Sequence, residues 1–120
     1  MAVYEHLPIF KGMMDLTVLM EGIVQHFSRY HKYSLGGELR AMCHDALALI
    51  MEANSTQERR PVLLKLRIQL ERIKIHLMIS REVQAFNNKN SFSQATEKVV
   101  DLCRQNEGWI RSTAAGKSRG

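Results

Sequence analysis

Apolar residues recur along this chain at alternating spacings of three and four, the period of helices that bury one face. The first such segment runs from about Ile9 to His31, with Met13, Leu16, Met20, Ile23, Phe27 and Tyr30 on its seam. Pro8 suits a first helical turn, where its missing N–H has no partner to lose. Lys32-Tyr33-Ser34-Leu35-Gly36-Gly37 reads as a break, because paired glycines are weak helix interior. The second segment, Glu38 to about Ala53, aligns Leu39, Met42, Ala46, Leu49 and Ala53, and ends at Asn54-Ser55-Thr56. The third, about Arg60 to Phe86, opens with Pro61 and aligns Leu63, Leu66, Leu70, Ile73, Leu77 and Ser80. Asn87-Asn88-Lys89-Asn90 closes it. Ser91 or Ser93 can then cap a fourth helix by accepting a free backbone N–H, with a seam of Phe92, Ala95, Val99, Leu102, Asn106 and Trp109.

No segment alternates with the period of a strand, so the fold class is all-α. Short connections force sequential helices to be neighbours, which predicts an antiparallel up-down four-helix bundle. Residues 1–113 form the single domain of this reading and residues 114–120 a flexible C-terminal tail.

The third segment has more apolar surface than one core needs. Leu64, Ile68, Ile75 and Met78 project as a second stripe, more than a quarter turn from the seam. Two arrangements satisfy it: a contact between subunits, or a central helix wrapped on both sides by its own bundle.

Charge sharpens the picture of the same helix. The chain carries a formal net charge of +5, unevenly placed. Residues 1–54 hold four basic and six acidic groups, whereas residues 55–120 hold thirteen basic and six acidic ones. Arg60, Arg67, Lys74 and Arg81 recur every seven residues and form one column about 30 Å long beside the second stripe. Lys65 and Arg72 form a shorter column across it, and Arg104 and Arg111 add charge from the fourth segment. Such columns suit phosphates, whose neutralisation releases counterions. They equally describe a solvated helix flank with acidic neighbours such as Glu58, Glu71 and Glu82.

Candidate chemistry is sparse, and the expectation is a protein without enzymatic activity. Cys43 and Cys103 have no histidine or second cysteine at metal-ligand spacing, and they read as small core residues without a disulfide. The Glu-x-x-His signature of di-iron bundles is absent. Gly116-Lys117-Ser118 lacks the upstream glycine of a phosphate loop. Arg40…His44 and Arg72…His76 pair arginine with histidine, but with fewer intervening residues than all-helical ribonucleases of the HEPN class use. No cofactor or metal site is expected. The longest apolar run, Ala46 to Met51, is far too short for a membrane span, and residues 1–10 lack a signal-peptide pattern. The expected setting is the cytoplasm, with no membrane partner.

With the helices placed, several stretches resemble the accessory variability determinant (Avd) family of diversity-generating retroelements. They are Leu7-Pro8-Ile9-Phe10-Lys11, Tyr33-Ser34-Leu35-Gly36-Gly37-Glu38-Leu39-Arg40, Arg81-Glu82, Ser91-Phe92-Ser93 and Gly108-Trp109-Ile110-Arg111. That family is related to the four-helix proteins encoded in intervening sequences of bacterial 23S ribosomal RNA. Two departures, Phe27-Ser28 in place of a phenylalanine–proline pair and Glu107-Gly108 in place of a glycine pair, fall at helix ends. The resemblance implies a homopentameric barrel whose basic surface binds the element's reverse transcriptase together with RNA and DNA, supporting mutagenic copying of a template. On that expectation Arg60, Lys65, Arg67, Arg72, Lys74, Arg81, Arg104 and Arg111 are the candidate binding residues. Leu64, Ile68, Ile75 and Met78 are the candidate oligomer interface. Two other functions share the sequence features: an intervening-sequence-type bundle with no reverse transcriptase, and a small ribonuclease.

Overall fold

The computed structural model describes residues 3–119, with side chains for residues 4–114. A short 3₁₀ turn, Val3–His6, leads into α1 (Pro8–Gln25), the single-turn α2 (Arg29–Lys32), α3 (Leu35–Ser55), α4 (Arg59–Glu82) and α5 (Lys89–Arg119). No strand occurs among the described residues. The expected tail at 114–120 lies almost wholly outside the residues whose side chains are described. The helical backbone of α5 continues to Arg119.

The four long helices pack as antiparallel sequential neighbours. Arg40 of α3 reaches back to Glu21 near the end of α1. Gln69 of α4 donates to the Met42 carbonyl of α3, and Asn106 of α5 donates to the Leu63 carbonyl of α4. Leu102 on α5 lies against Gly12 on α1 and closes the ring of helices. The predicted seam of α4 is the observed one: Leu63, Leu66, Leu70, Ile73, Leu77 and Ser80 are all buried. Leu66, Leu70, Ile73 and Leu77 share one core with Met13, Leu16 and Met20 from α1, Leu39 and Ala46 from α3, and Ala95, Val99 and Leu102 from α5. Leu63 packs instead in a smaller cluster with Ala53, Val62 and Ile110. Each fully buried leucine contributes about 1.5–3 kcal/mol.

The differences from the sequence expectation lie at helix ends. α1 stops at Gln25 rather than His31. His26 and Phe27 close a tight turn on Ile23 and Val24, which carries the Phe27 ring edge-on to Phe86 at 5.2 Å. The Ser28 N–H then donates to the Ala85 carbonyl and joins two connections at one end of the bundle. Burial of Phe27 outweighs helix continuation, and Tyr30, expected on the seam, is 87% exposed instead.

Gly36 and Gly37 lie inside the first turn of α3, not in a break. A Cβ on Gly36 would stand 2.6 Å from Val24 Cγ1, so the glycine is what lets α3 approach the end of α1. Leu49 is only half-buried, and its neighbour Ile50 takes the core position.

α4 stops at Glu82, short of Phe86, in a Schellman turn. The Ala85 N–H donates to the Ser80 carbonyl and the Gln84 N–H to the Arg81 carbonyl, with Gln84 at φ 58°. α5 starts at Lys89, where Asn88 Oδ1 accepts the Asn90 N–H at 2.8 Å. Asn88 therefore takes the capping role expected of Ser91 or Ser93, and Ser91 is buried.

Candidate interaction surface on α4 and α5

α4 lies between α3 and α5, so one side of it can face neither neighbour. Gln69 and His76 turn to α3, and Arg67 and Arg81 turn to α5. Between these flanks Ile68 is 61% exposed, Ile75 51% and Met78 49%. Ile79 and Val83 are also exposed and extend the strip toward the C-terminal end of α4. Those two residues carry the same helical period as Ile68 and Ile75, so the spacing held the signal for them. Leu64 differs from the rest of its stripe. It is half-buried against the small cluster of Ala53, Val62, Leu63 and Ile110.

The two flanks of the strip differ in what their cations face. On the α5 side the seven-residue column is stitched to the bundle. Arg67 donates from Nε and Nη2 to the two oxygens of Glu107 at 2.8 and 2.7 Å, a bidentate pair. The hydrogen bond from Arg67 holds the Glu107 carboxyl below its usual range. Lys74 pairs with Glu71 at 2.7 Å, and that hydrogen bond raises its affinity for the proton. Arg81 meets Glu82 at 3.4 Å and lays its guanidinium 4.4 Å from the centre of the Phe92 ring. Arg60 donates to the Ile110 carbonyl at 3.5 Å.

The remaining candidates keep their charge free of carboxylate pairs among the described residues. Lys65 is exposed on the α3 side of the strip. Arg72 donates only to Gln69 Oε1, at 3.3 Å. Arg104 and Arg111 are exposed on α5, where Arg111 adds a weaker pull on Glu107. The column counted from the sequence is thus partly neutralised, by Glu107 from 40 residues away at Arg67 and by the local Glu71 and Glu82 at Lys74 and Arg81. Beside Arg60, the candidates without a carboxylate partner among the described residues are Lys65, Arg72, Arg104 and Arg111.

Groups capable of other chemistry are dispersed. Burial pushes the Cys43 thiol up to about 12, which keeps it protonated, and burial raises Cys103 as well. Both cysteines are free. Arg40 and His44 turn to the same Glu21 carboxylate. His76 sets its ring between the Arg72 carbonyl at 3.1 Å and Glu38 at 2.9 Å. Among the described residues no three histidine, cysteine or acidic side chains gather as a metal site. The expected Gly116-Lys117-Ser118 stretch lies outside the described side chains. No helix among the described residues is long and apolar enough to cross a membrane.

No protein family matches the chain, and no curated protein is found to be similar to it.

Proposed function

We propose that this chain is a non-catalytic accessory protein of a diversity-generating retroelement, of the Avd kind. In this reading the outer face of α4 joins copies of the bundle into a ring of five. The basic residues beside it then hold the reverse transcriptase and its RNA or nascent DNA. One observation carries the reading: the exposed strip of Ile68, Ile75 and Met78 is flanked by cations on both sides. Apolar contact and an anionic partner thereby have adjoining places on one face.

Within the basic set the roles divide. Lys65, Arg72, Arg104 and Arg111 present unpaired charge and contact phosphates or acidic side chains. Arg67, Lys74 and Arg81 are held by Glu107, Glu71 and Glu82, and serve a partner only after exchanging those carboxylates. Repetition of the surface about a symmetry axis multiplies the field and concentrates the polymerase and its template.

The test is retention of a reverse transcriptase and RNA by the tagged chain at physiological salt. Recovery of both supports the reading, with retention weakened by Lys65→Glu and Arg72→Glu together. Recovery of RNA with no polymerase favours an intervening-sequence-type bundle, and recovery of neither contradicts both.

A further inference from the structure

The two most exposed aromatic rings of the molecule stand together at one end of the bundle, away from the α4 surface. Tyr30 is 87% exposed and Tyr33 84%. They are three residues apart on and just after α2, so their Cβ atoms lie about 5–6 Å apart on one side of that turn. Tyrosine rings are usually at least half-buried, because a buried ring is strongly stabilising. The turn that displays them is anchored, since the Ser28 N–H is bonded to Ala85 and Phe27 is packed on Phe86.

Cations are interleaved with these rings. Arg29 and Lys32 sit on the same turn, and Lys32 Nζ lies 5.8 Å from the centre of the Tyr33 ring. No carboxylate among the described residues pairs with Arg29 or Lys32. The carboxylates nearest in sequence are engaged elsewhere: Glu21 with Arg40 and Glu38 with His76. Beside Tyr33 opens a cavity of ≈ 310 Å³ whose polar lining comes from Glu21, Gln25, Lys32 and Arg40.

We propose that α2 is a stacking platform for single-stranded nucleic acid, in which Tyr30 and Tyr33 each take the face of one base and Arg29 and Lys32 take the phosphates. Every base has a π-face and every linkage a charge, so this recognition tolerates sequence but requires unpaired bases. A duplex hides its base faces and offers only phosphates. The platform needs neither a ring of subunits nor a reverse transcriptase, and it stands or falls separately from the α4 surface.

The experiment is fluorescence anisotropy of the full chain with a labelled oligothymidylate of about twelve nucleotides, long enough for a single-strand site, and with a duplex of equal length. Tyr30→Ala and Tyr33→Ala should each weaken single-strand binding at least about fivefold and leave duplex binding unchanged. Tyr30→Phe and Tyr33→Phe should bind as the parent does. Because both side chains are exposed, the variants should fold normally, with circular dichroism as the check. Lys65→Glu with Arg72→Glu on α4 should preserve the tyrosine-dependent difference. The proposal is overturned if the alanine variants bind the single strand as tightly as the parent, or if the parent binds no single strand. It is overturned equally if the alanine variants change only the molar mass of the protein, which would make the rings a protein contact.

Discussion

From a fully buried position on α5, Asn106 donates its side-chain amide to the main-chain carbonyl of Leu63 on α4, at 3.0 Å. This bond crosses the interface that also carries the Arg67–Glu107 pair. A seam of leucines alone tolerates sliding by a helical turn, whereas one polar side chain matched to one carbonyl does not. Asn106 therefore pins the register in which Arg67 meets Glu107.

Substitution at this site should separate register from stability. Asn106 Oδ1 has no protein partner among the described residues. The Leu63 carbonyl sits inside α4 and keeps its own helical bond, so Asn106→Leu should change stability by less than about 1.5 kcal/mol. Asn106→Asp places a charge in the same buried space and replaces the donor by an acceptor, and should destabilise by about 3 kcal/mol or more. Urea unfolding followed by circular dichroism measures both.

The adjacent glycines of α3 should respond in opposite directions. At Gly36 an added methyl meets Val24 Cγ1 at 2.6 Å, and a β-branched side chain has little freedom to move aside. Gly36→Ala should destabilise by about 1–3 kcal/mol. At Gly37 nothing lies within 4 Å, and Gly37→Ala should stabilise by about 0.4–1 kcal/mol by restricting the unfolded chain. Thermal unfolding of the two variants side by side decides the point.

Acid should weaken the bundle partly through its bidentate pair. The Arg67 hydrogen bond keeps the folded-state pKa of Glu107 below the ordinary 4.5. The group's contribution is therefore complete above about pH 4.5 and is lost as the pH falls through the lower folded-state value. Glu21, lowered chiefly by its hydrogen bond from Arg40, behaves alike. Glu107→Gln and Glu21→Gln together should flatten the acid limb of stability against pH, by lowering the neutral plateau slightly while changing stability least at the acid end. An acid limb as steep as the parent's would show that other carboxylates carry it.

Much of the fold is legible in the chain because helical period is a local property. All six seam positions of α4, from Leu63 to Ser80, are buried as their spacing predicts, and Ile68 and Ile75 face outward. What spacing could not show depends on tertiary contact. Gly36 looks like a helix breaker until Val24 is seen beside it. Tyr30 continues a good seam on paper, but Phe27 turns the chain first in order to reach Phe86. The charge columns were visible, as were the acidic neighbours Glu71 and Glu82 that pair with Lys74 and Arg81. The partner of Arg67 was not, because Glu107 is brought to it only by the register of α5 on α4. Asn106 stood out as a polar residue on a seam, and its partner is a main-chain carbonyl that no sequence pattern marks.

The outer face of α4 as a contact surface is the claim on which the functional reading rests, and the molar mass in solution tests it most directly. Sedimentation equilibrium of the parent chain should give a multiple of the 13.8 kDa subunit. Ile68→Asp with Ile75→Asp should give folded monomer, since both positions are more than half exposed and neither belongs to the core. A monomeric parent, or a variant that keeps the parent's mass, would contradict the account.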